Sequence, residues 1–130
     1  MAANPYVQYK QTQITTANRG QILIMLYEAA IRYVKKASLS IDNKDLAGKG
    51  VAIGKTHDII NELLNTLDFE AGGQIARDLE RLYNFMTEQL IKSNMENSKD
   101  PLLSVEKNLI TLLEGWKGAI LEFNKTLAMK

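Results

Sequence analysis

The chain has 130 residues, 45% of them apolar, with 16 basic and 15 acidic side chains, a net charge of +1 and no cysteine. That apolar share suffices for one core without disulfide or metal, and charge so balanced and interspersed directs no long-range field at nucleic acid or anionic lipid. No basic-then-apolar leader opens the chain, and its longest apolar run, Ile22 to Tyr27, falls far short of the roughly 20 residues of a bilayer span, so a cytoplasmic address without membrane insertion is expected.

The spacing predicts an all-α chain: a flexible, polar N-terminal tail over 1–17, then helices over about 18–41, 44–67, 73–96 and 101–128, in one domain spanning 1–130. Asn18 with Gln21 reads as an amide version of a capping box at the first start. In the first helix Ile22, Leu26, Ala30, Tyr33 and Ala37 share a face, flanked by Leu23, Val34 and Ile41, opposite Glu28, Arg32, Lys35 and Lys36. In the second, Leu46, Ile53, Ile60, Leu63, Leu64 and Leu67 oppose Lys55, Asp58 and Glu62, while Gly48, Gly50 and Gly54 weaken its start. Gly72 and Gly73 read as the break before the third helix, whose stripe is Ile75, Leu79, Leu82, Tyr83, Met86 and Leu90. Asp100 followed by Pro101 marks the fourth start as an N-cap and a first-turn proline. Linkers this short force each helix to reverse beside its predecessor, giving an antiparallel up-and-down four-helix bundle.

The fourth helix carries two stripes. Leu102, Val105, Leu109, Leu112, Leu113, Trp116, Ile120, Phe123 and Leu127 make a core face, and Leu103, Ile110, Leu121 and Ala128 recur on another arc. Phe85, Ile91 and Met95 in the third helix, and Met25 and Leu39 in the first, also fall outside the core arcs. The second stripe either widens contact with a neighbouring helix or forms a groove wall for a helix from another protein.

Chemistry is sparse. Gly48 to Thr56 imitates a phosphate-binding loop, but the required first glycine position holds Lys49 and no strand leads into it. A lone histidine, His57, removes the Glu-x-x-His pairs of a di-metal site, and without cysteine no nucleophile has an evident base. Glu62, Asp78, Glu80 and Glu88 sit on polar faces as solvated charges. No catalytic residue, metal or cofactor is expected, and Glu28 on the same polar face dilutes the basic group at Arg32, Lys35 and Lys36, so a solvated face is expected there rather than a nucleic-acid surface.

Together these residues resemble the flagellar secretion chaperones of the FliS family. The resemblance runs through Tyr6 to Gln11, Thr16 to Asn18, Leu23 to Ile31, Ile59 to Leu63, Leu67 to Glu70, Gly72 to Leu79, Leu82 to Met86 and Trp116, in that order and spacing. It departs at Asn18 and Arg19, where many relatives have Ser-Pro, and at Gln74 and Phe85, where Glu and Tyr are commoner. The resemblance implies a cytoplasmic, non-enzymatic bundle that binds the C-terminal segment of flagellin, prevents premature polymerisation and aids delivery to the gate of the flagellar type III export apparatus. It also implies that the chaperone's own tail lies over part of the apolar surface when no client is present, with Tyr6 and Tyr9 at the tail's aromatic positions. Leu103, Ile110, Leu121, Phe85, Ile91 and Met25 are the expected client-binding residues. The rival readings are a homodimer built through the same stripe and an adaptor for a different amphipathic helix.

Overall fold

The computed structural model describes residues 19–129, folded as α1 (Arg19–Asp42), α2 (Leu46–Asn65), α3 (Phe69–Glu96) and α4 (Asp100–Ala128). The expected tail, with Tyr6 and Tyr9, and the Asn18 cap lie outside the described residues. α1 packs against α2 and α4, and α3 packs against the same two, so α1 and α3 sit on one diagonal of an antiparallel four-helix bundle.

Two of the starts are held by aspartate. The Asp45 carboxylate accepts the Gly48 N–H at 2.9 Å, and Asp68 Oδ1 accepts the N–H groups of Glu70 and Ala71 at 3.0 Å each. The Asp68 cap moves the third start earlier than the glycine pair suggested. The chain reverses at Thr66–Asp68, where the Thr66 hydroxyl donates to the Leu63 carbonyl at 2.7 Å, and helix resumes at Phe69. Gly73 then interrupts α3 after its first turn, with φ 51 and ψ −123. The fourth start also differs: Lys99 occupies the cap position without a side-chain bond, and Asp100 and Pro101 belong to the first turn. Pro101 has no N–H to satisfy, which lessens the need for a cap.

The core is Tyr27, Ala30, Ile31, Val34 and Ala37 of α1, Ala52, Ile53, Ile60 and Leu63 of α2, Tyr83, Met86 and Leu90 of α3, and Leu102, Val105, Leu109 and Leu113 of α4. Several residues expected inside are exposed instead: Ile22, Leu46, Ile75, Phe123 and Leu127. Ile22 is exposed because α1 turns an arc centred near Val34 inward, which brings Tyr27 and Ile31 into the core. Phe123 and Leu127 keep the core spacing but run past their neighbours: at about 1.5 Å per residue, α4 outreaches α2 by more than a turn. α4 is level with the start of α1 at Ile120, whose Cδ1 lies 2.9 Å from where a Cβ on Gly20 would sit.

The other end of the bundle is tied by polar bonds. Lys49, buried in α2, donates from Nζ to the Asn94 carbonyl at 3.1 Å and to Asn97 Oδ1 at 3.0 Å, and Asn97 ends α3 in the left-handed conformation at φ 52. An ammonium there also suits the negative end of the α3 dipole. The Ser93 hydroxyl donates to the Ser98 carbonyl at 2.6 Å, and Lys99 pairs with Asp42 at 3.0 Å.

Candidate functional site: an unpaired apolar surface and an end cleft

α4 buries Leu102, Val105, Leu109 and Leu113 completely or nearly so, yet on its outer arc Leu103, Ile110 and Leu121 are 49%, 40% and 56% exposed. The row is not purely apolar, because Lys107, Glu114 and Lys117 fall on the same arc at 100° per residue and are exposed. Phe85, Ile91 and Met95 on α3 and Met25 and Leu39 on α1 are exposed as well. About the α3–α4 turn, antiparallel rise sets Leu103 level with Ile91 and Met95, and Ile110 level with Phe85. Met25 lines a groove of about 340 Å3 with Ile22, Leu26 and Ala29 on α1, and Leu39 closes a second, of about 420 Å3, beside Arg32, Lys35 and Lys36.

A third recess opens at the end of the bundle where α2 passes into α3. This cleft of about 280 Å3 is walled by Leu23, Leu63, Leu67, Ile75 and Leu79 and reaches Tyr83 and Trp116. Ile75 lies in the cleft wall rather than in the core, while the next residue of α3, Ala76, is buried. Below it the hydroxyls of Tyr27 and Tyr83 hydrogen-bond across the diagonal of the bundle. Burial pushes both phenols up, and the neighbouring Tyr27 raises Tyr83 further, so both stay protonated. Among the described residues the buried Trp116 indole nitrogen has no hydrogen-bond partner. Nothing in the periodicity of the sequence distinguishes these three from ordinary core aromatics.

Gly48 to Thr56 is continuous helix in α2, which removes the loop a phosphate cradle needs. Lys49 is buried, at the core phase of α2 with Ile53, Thr56, Ile60 and Leu63, a spacing that reveals it once the lysine is allowed in the stripe. His57 Nδ1 meets the Asn61 amide at 3.2 Å. The Asp78 carboxyl is held below its usual range by the Gln74 amide and then by Arg81. Among the described residues no group of His, Cys, Asp or Glu could hold a metal ion, and no helix is long and apolar enough to cross a membrane.

Fold and surface thus define an antiparallel four-helix bundle that leaves apolar side chains exposed on α1, α3 and α4. The family described as flagellar protein FliS matches residues 2–122, and the chain belongs to that family. It is similar to the flagellar secretion chaperone FliS of Bacillus subtilis, 30% identical over 90% of this chain and 86% of the relative. It is also similar to the flagellar secretion chaperones FliS of Campylobacter jejuni, 34% identical over 86% and 88% of the two chains, and of Salmonella typhimurium, 33% identical over 82% and 80%. These relatives are chaperones of flagellar export, a non-enzymatic family.

Proposed function

We propose that this chain is a cytoplasmic export chaperone that binds the C-terminal segment of flagellin, prevents its premature polymerisation and aids its delivery to the flagellar type III export apparatus. The observation that carries the reading is the row of Leu103, Ile110 and Leu121, left exposed on a helix that packs Leu102, Val105, Leu109 and Leu113 into the core. Burying each such side chain contributes about 1.5–3 kcal/mol, while ordering a flexible client costs about 2–5 kcal/mol. Several contacts must therefore act together, and Phe85, Ile91 and Met25 are the further candidates. A segment that forms helix only when packed in a filament exposes apolar stripes as a free subunit, and the chaperone lends them a surface.

In this reading the tail covers part of the surface through Tyr6 and Tyr9 until client displaces it. Deleting residues 1–15 should strengthen, or leave unchanged, binding of a flagellin C-terminal peptide in calorimetric titration. A large loss of affinity would make the tail part of the binding site instead. The proposal itself is tested by the mass of the protein in solution with and without that peptide. A monomer that forms a one-to-one complex is expected; a dimer that the peptide neither joins nor dissociates would favour the homodimer reading.

A further inference from the structure

α1 carries two seams with the spacing that helix pairing uses. Leu23, Tyr27, Ala30, Val34, Ala37 and Ile41 recur at alternating intervals of four and three and face the bundle. Ile22, Met25, Ala29, Arg32, Lys36 and Leu39 recur at alternating intervals of three and four on the arc opposite Val34. No described helix covers this outer seam: Ile22, Met25 and Leu39 are 45%, 65% and 58% exposed, and Arg32 and Lys36 are exposed as well. The two grooves along α1 lie on it end to end, one at Ile22 and Met25, the other at Lys36 and Leu39, and Arg32 lines both. From Ile22 to Leu39 the seam runs about 26 Å, enough for a partner helix of nearly five turns.

The charge of the seam selects what fits. Arg32, Lys35 and Lys36 gather on its second half, and Glu28 is the one carboxylate that lines either groove. Among the described residues none of the three cations is in a salt bridge. A second copy of this chain fits poorly. Arg32 lies near the middle of the seam, so two antiparallel copies in register set Arg32 beside Arg32, and two parallel copies add Lys36 beside Lys36. An extended acidic strand fits no better, because its side chains alternate with period two and cannot follow a 3.5-residue repeat. A helix with carboxylates level with Arg32 and Lys36 and apolar side chains to either side pairs its charges and buries its apolar residues at once.

We infer that the outer seam of α1 docks an acidic amphipathic helix of a protein other than the client, its carboxylates on Arg32 and Lys36 and its apolar residues on Ile22, Met25 and Leu39. The seam lies on a different helix from the α4 row, and Met25 makes competition with the client part of the test.

The probe is a stapled helical peptide of about three heptads, with leucine at the positions that meet Ile22, Met25 and Leu39 and glutamate at those that meet Arg32 and Lys36. Its control carries lysine in place of glutamate. In calorimetric titration of the full chain at low ionic strength, the glutamate peptide should bind at least about tenfold more tightly than the control, and the difference should shrink as salt is added. Arg32→Glu/Lys36→Glu should invert the order, with helical circular dichroism unchanged because both side chains are exposed. Equal affinity of the parent for the two peptides, or an order that the charge reversal leaves as it was, would overturn the inference. The parent alone also decides: if it does not bind the glutamate peptide, the inference fails whether or not the variant folds. Displacement of the glutamate peptide by a flagellin C-terminal peptide would assign the seam to the client instead, and a dimer of the parent that the glutamate peptide dissociates would assign it to a second copy; either result overturns the inference. The comparison of the two peptides needs no flagellin, so it stands whatever becomes of the client reading.

Discussion

Replacing Gly73 by alanine isolates a backbone effect, because a Cβ at this position meets no atom within 4 Å. Any loss therefore comes from the conformation itself, φ 51 with ψ −123, which a residue with a side chain strongly avoids. The expected cost is about 1–3 kcal/mol. Gly50 supplies the control, since it lies within the helix of α2 and a Cβ there likewise meets nothing within 4 Å. Gly50→Ala should stabilise by about 0.4–1 kcal/mol, through lower unfolded-state entropy and better helix propensity. The same chemical change thus has opposite signs at two open positions. For a chain of this length each kcal/mol corresponds to about 3–6 °C in Tm, a difference that thermal unfolding followed by circular dichroism resolves. A Gly73→Ala variant as stable as the parent, or more stable, would refute the positive φ as the reason for the break in α3.

Lys49→Met retains the aliphatic stem but leaves the Asn94 carbonyl and Asn97 without their ammonium partner; chemical denaturation should show a loss of about 1–3 kcal/mol, and an unchanged midpoint would mean the bonds contribute nothing net. Because burial raises the phenols of Tyr27 and Tyr83 above the usual 10.0, their contribution is complete below that pH and declines as pH rises through and beyond it. Stability measured against pH should accordingly fall in the alkaline range, less steeply in Tyr83→Phe, and a rise there would contradict the burial of the pair.

The number and class of the helices were legible because apolar spacing and short linkers leave an all-α chain little choice but to double back. Orientation around each helix was harder to read. Ile22, Leu26 and Tyr33 share an arc as regular as the one actually buried, and only the presence of neighbours on two sides of α1, α2 and α4, selects the arc around Val34 that includes Tyr27 and Ile31. Periodicity also cannot tell where a bundle ends. Phe123 and Leu127 continue the core pattern of α4 beyond the point where any described helix lies beside it, and Ile75 continues that of α3 into the cleft. The second stripe of α4 was visible as apolar residues one face too many, and Leu103, Ile110 and Leu121 are indeed exposed. The Tyr27–Tyr83 bond joins residues 56 positions apart on diagonal helices, a pairing that follows from the tertiary arrangement alone.

The central claim, that the outer row of α4 is a client surface, is tested most directly by the affinity of Ile110→Ser/Leu121→Ser for a flagellin C-terminal peptide, with unfolding measured on the same sample. Both side chains are exposed in the free protein, so helical circular dichroism and cooperative unfolding should be nearly unchanged. Binding should weaken at least about tenfold, equivalent to about 1.4 kcal/mol. A double variant that unfolds would place the row in the core, and one that folds and binds with parental affinity would contradict the assignment of the client to this surface.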